Sequence, residues 1–167
     1  MAKILGTELR KKFEAGYLTS TYNRISRFTP ETETPIAFGQ LLKYGTSVGH
    51  YEVTDGSETS AAVIAGVSVY DQSRTGTTYP GGITSIPFGQ YGDCLISGDV
   101  VVVVSPLTAD ADAIVEGAPA YLAADGMITP DALIAAVATV ALPQFIFLGQ
   151  IEVGADGSVL AAVRKLY

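Results

Sequence analysis

The residues that could carry chemistry are few, and the first candidate is the segment Gly45-Thr46-Ser47-Val48-Gly49. It matches the GxSxG pattern, in which a serine nucleophile sits on a sharp turn between a strand and a helix. Such a serine takes its histidine base from much later in the chain. Here the single histidine, His50, follows Ser47 by three residues and begins a strand-like segment. We therefore expect a turn at this position, and we predict that the protein is not an enzyme.

A second candidate is the acidic series Asp110, Asp112 and Glu116, whose spacing could suit a hard cation. Calcium loops need more oxygen ligands and a glycine at the turn, so we expect a solvated acidic loop instead. One histidine and one cysteine, Cys94, are too few for a zinc site made by this chain alone. Glycine-rich phosphate-binding patterns are absent from the sequence. The sequence thus predicts no catalytic residue, no metal and no cofactor.

Charge is distributed unevenly along the 167 residues, whose net charge is −7. Residues 1–27 carry a net charge of +4, and the remaining 140 residues carry −11. A basic arm on an acidic body suits docking onto an acidic partner surface. Aromatic residues interleaved with the basic groups could also stack on nucleic acid. Because the acidic body would repel phosphates, we expect no direct nucleic-acid binding.

The secondary-structure pattern divides the chain into two parts. Residues 7–16 are predicted to form a short helix, with Thr7 as its cap and Gly16 just past its end. Residues 29–35 form a polar linker in which two prolines disfavour helix. We therefore predict an N-terminal arm and linker over residues 1–34 and a β-rich body over residues 35–167.

The body consists of short apolar runs separated by Gly, Pro and Asp-Gly, which is typical of an all-β fold. The five valines of Val100–Val104 favour a strand, Gly66 indicates a bulge, and Asp125-Gly126 indicates a hairpin turn. Residues 71–93 are predicted to form a long surface loop with room for one short strand. Residues 130–142 permit either helix or strand. The expected fold is a β-sandwich or jelly-roll-like barrel with an extended N-terminal arm that carries one short helix.

The uncharged stretch Ala132–Ile151 is as long as a membrane-spanning helix. Pro143 and two glutamines interrupt it, and Asp131 and Glu152 flank it where basic residues are usual. We therefore predict two or more buried elements here and no membrane association. The low share of charged residues, 16%, suggests that the protein buries surface in an oligomer or larger assembly.

Several segments together resemble the structural cement, or decoration, proteins of tailed bacteriophage capsids. The resemblance covers most of residues 35–167 and is carried by glycines and turns. Its segments are Pro35-Ile36-Ala37-Phe38-Gly39, Ala65-Gly66-Val67-Ser68-Val69, Tyr79-Pro80-Gly81-Gly82, Ser97-Gly98-Asp99-Val100-Val101-Val102, Gly117-Ala118-Pro119-Ala120-Tyr121-Leu122-Ala123-Ala124-Asp125-Gly126 and Leu148-Gly149-Gln150-Ile151.

The resemblance implies a virion component that is made in the host cytoplasm and sits on the capsid exterior. Its implied partners are the major capsid protein and further copies of itself, as a homodimer or homotrimer, with the trimer favoured. The resemblance carries no site residues for the arm, so its contacts are inferred from charge and aromatic content. They are Arg10, Lys11, Lys12, Phe13, Tyr17, Tyr22, Arg24, Arg27 and Phe28.

An alternative hypothesis is a virion-surface binding module for a receptor or glycan. In that interpretation the loop at residues 71–93 would be the binding site, with Tyr70, Tyr79 and Tyr91 as its aromatic residues.

Overall fold

A computed structural model describes residues 15–20, 22–70, 85–86, 88–153 and 157–166. These residues form thirteen β-strands and two short 3₁₀ helices, Ala61–Val63 and Ala111–Ala113. The strands are β1 Arg24–Pro30, β2 Ile36–Ala37, β3 Leu41–Tyr44, β4 His50–Val53, β5 Ile64–Val69, β6 Ser85–Ile86, β7 Gly92–Val103, β8 Glu116–Leu122, β9 Ile128–Thr129, β10 Leu133–Ile134, β11 Val137–Ala138, β12 Val140–Val153 and β13 Val159–Lys165. The predicted all-β class is confirmed. The helix predicted over residues 7–16 lies almost wholly outside the described residues.

The first half of the body is a closed ring of five strands. β1 pairs with β4, β4 with β3, β3 with β5, β5 with β7, and β7 with β1 again. The contact between β1 and β4 is parallel and is recorded at two residue pairs, whereas the other four contacts are antiparallel. A separate apolar core accompanies this ring, and it consists of Phe28, Ile36, Phe38, Leu42, Ala65, Ile86 and Cys94.

A second ring is built on the same strand β7. Its residues Gly98–Val103 pair with β13, which continues through β12 and β8 to β9. Ile128 of β9 then bridges Val104, the residue just after β7, and closes the circuit. The larger core lies mainly in this ring, with Val100, Val102, Leu122, Phe145, Phe147 and Val163, and it extends to Leu41, Val67 and Leu95 of the first ring. The two rings therefore share strand β7: its first half pairs in the first ring, and its second half, which holds Val100–Val103, pairs in the second.

The N-terminal segment is hydrogen-bonded along β7. Leu18 bridges Val100, and Tyr17 accepts a hydrogen bond through its carbonyl from the N–H of Val101 at 2.9 Å. Further along, β1 pairs with the first half of β7 from Arg24 to Phe28. The sequence assigns residues 24–30 to the arm, but in the structure they form β1, one of the five strands of the first ring. Of the predicted polar linker, residues 31–34 form bends between β1 and β2, whereas Thr29 and Pro30 belong to β1.

Two predictions about local structure have clear outcomes. The pairing of β3 with β5 shifts register beside Gly66, which confirms the predicted bulge. The stretch Ala132–Leu142, left open between helix and strand, forms β10, β11 and the start of β12. Ala135 and Ala136 turn the β10–β11 hairpin with φ angles of 49° and 66°. Positive φ at both central residues is typical of a two-residue type I′ hairpin turn, whose twist matches that of the flanking strands.

The two rings touch through an inter-ring contact, formed by residues 54–58 against the β8–β9 turn at residues 123–126. Thr54 donates through its hydroxyl to the carbonyl of Gly126 at 2.5 Å. The carboxylate of Glu58 accepts from the N–H of Gly56 at 2.9 Å, and the ammonium of Lys43 lies 2.8 Å from it. This contact ties the end of β4 in the first ring to the hairpin that closes the second.

Candidate interaction surface

The predicted contact residues of the N-terminal arm fall into three groups. Arg10, Lys11, Lys12 and Phe13 lie outside the described residues. Tyr22, Arg24 and Arg27 are exposed, Tyr22 to 90%. The guanidinium of Arg27 lies 3.7 Å from the carboxylate of Asp93. Two cationic side chains and one aromatic side chain are thus available to a partner on the outside of the first ring.

The other two predicted contacts point into the protein. Phe28 is 1% exposed, lies in the core of the first ring and stacks on Tyr51 with 5.2 Å between ring centroids. Tyr17 is half-buried and stacks on Tyr70 at 4.9 Å. Their aromatic character therefore serves the fold: Phe28 fills the first ring, and Tyr17 attaches the N-terminal segment to the end of β5.

One surface residue that sequence reasoning missed is Arg164. It lines an open depression together with Tyr22, Ser20 and Leu166. The carboxylate of Asp99 accepts two hydrogen bonds from Arg164, at 2.7 and 2.9 Å, and this pairing raises the pKa of the guanidinium. Arg164 and Tyr22 are far apart in the chain, and they meet because β13 and the N-terminal segment both lie along β7. A local sequence pattern therefore could not predict that they share a surface.

The GxSxG segment forms the turn between β3 and β4 and is followed by a strand, as predicted. The carbonyl of Ser47 accepts from the N–H of His50 at 3.1 Å, which makes the segment a tight turn. The hydroxyl of Thr46 donates to the carboxylate of Glu31, and the Nδ1 atom of His50 lies 3.3 Å from that carboxylate. These three side chains join the linker to the strand that closes the first ring.

The hydrogen bond from Thr46 holds the pKa of Glu31 below its ordinary value, against a smaller opposing effect of burial. A carboxylate with a lowered folded-state pKa stabilises the protein above its unfolded pKa and loses that effect as the pH falls through the folded pKa. We expect Thr46→Val to lower the free energy of unfolding at pH 7 and to lower it less at pH 3, as measured by urea denaturation. Thr34→Val, at an exposed linker position, is the matched control. An equal loss at both pH values would contradict this prediction.

The remaining chemical candidates contribute to local structure. Asp110 caps the second 3₁₀ helix by accepting from the N–H of Asp112 at 2.9 Å, and Glu116 begins β8. Within the described ranges, no cluster of three or more His, Cys, Asp or Glu residues could hold a metal ion. No helix among those residues is long and apolar enough to cross a membrane.

The loop of the alternative hypothesis is described only in part. Residues 71–84, including Tyr79, and residue 87 lie outside the described residues, and Ser85–Ile86 forms a short strand paired with β2. Tyr70 packs its ring edge-on against Phe38, and Tyr91 is exposed.

The structure is that of an all-β protein with exposed arginine, tyrosine and aliphatic side chains. The family model of the structural cement proteins (E217 gp24/Pam3 gp6) matches residues 13–165. The chain therefore belongs to the phage structural cement protein family, and its role is structural and associated with the capsid. The resemblance seen in the sequence is thus confirmed, and the match extends into the segment before residue 35.

Among solved structures, the chain is similar to one described as the capsid of Myoviridae Phage XM1. The TM-score is 0.61 at 19% identity, over 92% of this chain and 89% of that chain. This likeness shows a shared fold over nearly the whole of both chains. No curated protein matches the chain by sequence.

Proposed function

We propose that this protein binds the outer surface of the phage capsid and stabilises the contacts between major capsid protein subunits. The family match over residues 13–165 carries the proposal. A protein that binds the assembled shell, and not its separated subunits, stabilises the shell by mass action. The proposed activity thus needs binding surfaces and no catalytic step.

The exposed residues of β1 and the segment before it support a location for the contact. Tyr22, Arg24 and Arg27 lie on a chain whose first 27 residues are net positive and whose remainder is strongly negative. An acidic patch on the capsid would attract this end and repel the rest, so charge alone would orient the protein. Tyr22 is suited to be the anchor, since exposed tyrosines often become binding hot spots when a partner buries them.

Reversing the charge of both arginines tests this proposed orientation. We expect Arg24→Glu with Arg27→Glu to weaken binding to mature empty shells by about tenfold, since each partly exposed ion pair is worth up to about 1 kcal/mol. Shell occupancy, titrated at two salt concentrations, is the measurement. The double variant Arg24→Lys with Arg27→Lys keeps the charge and is the matched control. Unchanged occupancy of the reversed variant would contradict the contact surface.

A truncation separates the two halves of the N-terminal segment. Deletion of residues 2–14 stops before the described residues that pair with β7, so we expect both rings to form. Removal of residues 2–27 would also remove most of β1 and open the first ring. If the short truncation alone abolishes occupancy, the contact depends on residues 2–14; if occupancy persists, Tyr22 and the two arginines carry it.

A further inference from the structure

The ion pair between Arg164 and Asp99 leaves one edge of the guanidinium group unused. The carboxylate of Asp99 accepts from Nε at 2.7 Å and from Nη2 at 2.9 Å, which is a side-on pairing. A guanidinium group has five N–H donors, so three remain, two on Nη1 and one on Nη2. Within the described residues, no acceptor is hydrogen-bonded to these three donors. Because the Arg164 side chain is 49% exposed, a partner can reach this edge.

Asp99 holds the guanidinium group in a fixed position. This residue is buried, and its main chain is tied to the N-terminal segment on both sides. Its N–H donates to the side-chain oxygen of Asn23 at 3.1 Å, and its carbonyl accepts from the N–H of Thr19 at 3.1 Å. Arg164 and Asp99 also lie directly opposite each other in the pairing of β13 with β7. The arginine therefore loses little conformational freedom when a partner binds, which favours affinity.

The open depression that Arg164 lines has a volume of about 330 Å³ and further polar groups. The hydroxyl oxygen of Ser20 accepts from the N–H of Tyr22 at 3.1 Å, so its own proton remains available to a partner. The exposed ring of Tyr22 forms part of the wall. Arg24 lies opposite Ser97, another lining residue, in the register of β1 and β7, so a second positive charge borders the depression.

We propose that this depression binds a carboxylate side chain, from an aspartate or glutamate on the surface of a capsid subunit. The inference rests on the proposed capsid binding and adds the site and the chemistry of one contact. A planar carboxylate matches the unused edge formed by Nη1 and Nη2. Asp99 already neutralises one positive charge, and Glu116 also acts electrostatically on Arg164. These two carboxylates repel a doubly charged phosphate more strongly than a singly charged carboxylate.

A charge-neutral pair of replacements tests the site without leaving a buried charge unpaired. Asp99→Asn with Arg164→Gln removes one charge of each sign, so the net charge stays at −7. We expect this double variant to bind mature empty shells about tenfold more weakly, because it lacks the charged hydrogen bonds to the partner. Arg164→Lys keeps the charge but lacks the planar fork, so we expect a similar loss. Thermal denaturation of both variants verifies that they fold.

Chemical modification of the shell identifies the partner group. Amidation with a carbodiimide and glycinamide neutralises the carboxylates on the shell surface. We expect the unchanged protein and the double variant to differ about tenfold in affinity for native shells and to bind amidated shells equally.

Three outcomes would overturn the site while leaving the capsid proposal intact. They are equal binding of the unchanged protein and the double variant to native shells, a difference that persists on amidated shells, and an Arg164→Lys variant that binds as tightly as the unchanged protein. An unchanged protein that does not bind native shells would overturn both the site and the proposed function.

Discussion

Replacement of Lys43 by methionine is expected to lower the free energy of unfolding by about 3 kcal/mol, because it leaves a buried carboxylate without its cation. The ammonium of Lys43 lies 2.8 Å from Glu58, whose side chain is 3% exposed, and 3.4 and 3.5 Å from Asp55 and Glu52. Glu58 keeps two backbone N–H donors, from Asp55 and Gly56. These donors do not replace the lost positive charge. Equilibrium urea denaturation of both proteins at pH 8 measures the difference.

The pH dependence gives this prediction a second readout. The hydrogen bond between Lys43 and Glu58 raises the pKa of Lys43 from 10.5 to about 12. A raised folded-state pKa contributes stability that is fully present below the unfolded value and is lost as the pH rises through the folded value. The difference between the two proteins should therefore shrink between pH 10.5 and about 12. The double variant Lys43→Met with Glu58→Gln, which removes the orphaned charge, should recover part of the loss. A loss under about 1 kcal/mol for Lys43→Met would show that the pair is effectively exposed.

Gly126→Ala is expected to destabilise the protein by about 3 kcal/mol or more, because two separate costs fall on the same residue. Gly126 has φ +78°, a backbone conformation that costs a residue with a Cβ atom about 1–2 kcal/mol. A Cβ at this position would also overlap the carbonyl oxygen of Thr54. That oxygen belongs to backbone in the inter-ring contact, so it cannot move aside as a flexible side chain would.

Gly117→Ala is the matched control for this prediction. Gly117 has φ +81°, but a Cβ there would meet no atom within 4 Å. The Gly117→Ala variant therefore has the conformational cost of a positive φ without the steric overlap. The excess loss in Gly126→Ala over Gly117→Ala, measured by thermal and urea denaturation, reports how closely the two rings approach. Equal losses in the two variants would mean that the turn and residues 54–58 separate at little cost.

The sequence was most informative where local chemistry decides the structure. Four of the five valines, Val100–Val103, lie in the strand that their β-branched side chains favour, and Asp125-Gly126 lies in the predicted turn. The turn at Ala135-Ala136 carries no such signal, since alanine rarely adopts positive φ. Its conformation follows from the pairing of β10 with β11.

The candidate surface was less predictable for a related reason. Tyr22 and Phe28 are both aromatic residues in the same arm, yet one is exposed and the other fills a core. Which of them faces inward depends on the register of β1 against β7, and that register is set by contacts about 70 residues apart in sequence. Arg164 joins Tyr22 at the depression through the same long-range pairings, so its position could not be read from its neighbours in the chain.

The sharing of β7 by both rings has a consequence for the order of events during synthesis. Its partners come from both ends of the chain: residues 16–19 and β1 near the beginning, and β13 at the end. Until β13 has left the ribosome, the valine-rich half of β7 lacks one of its two neighbours. Long-range β pairing is slow because the intervening chain must be closed into a loop first. The first ring can therefore form before β13 has been made, whereas the second ring can close only afterwards.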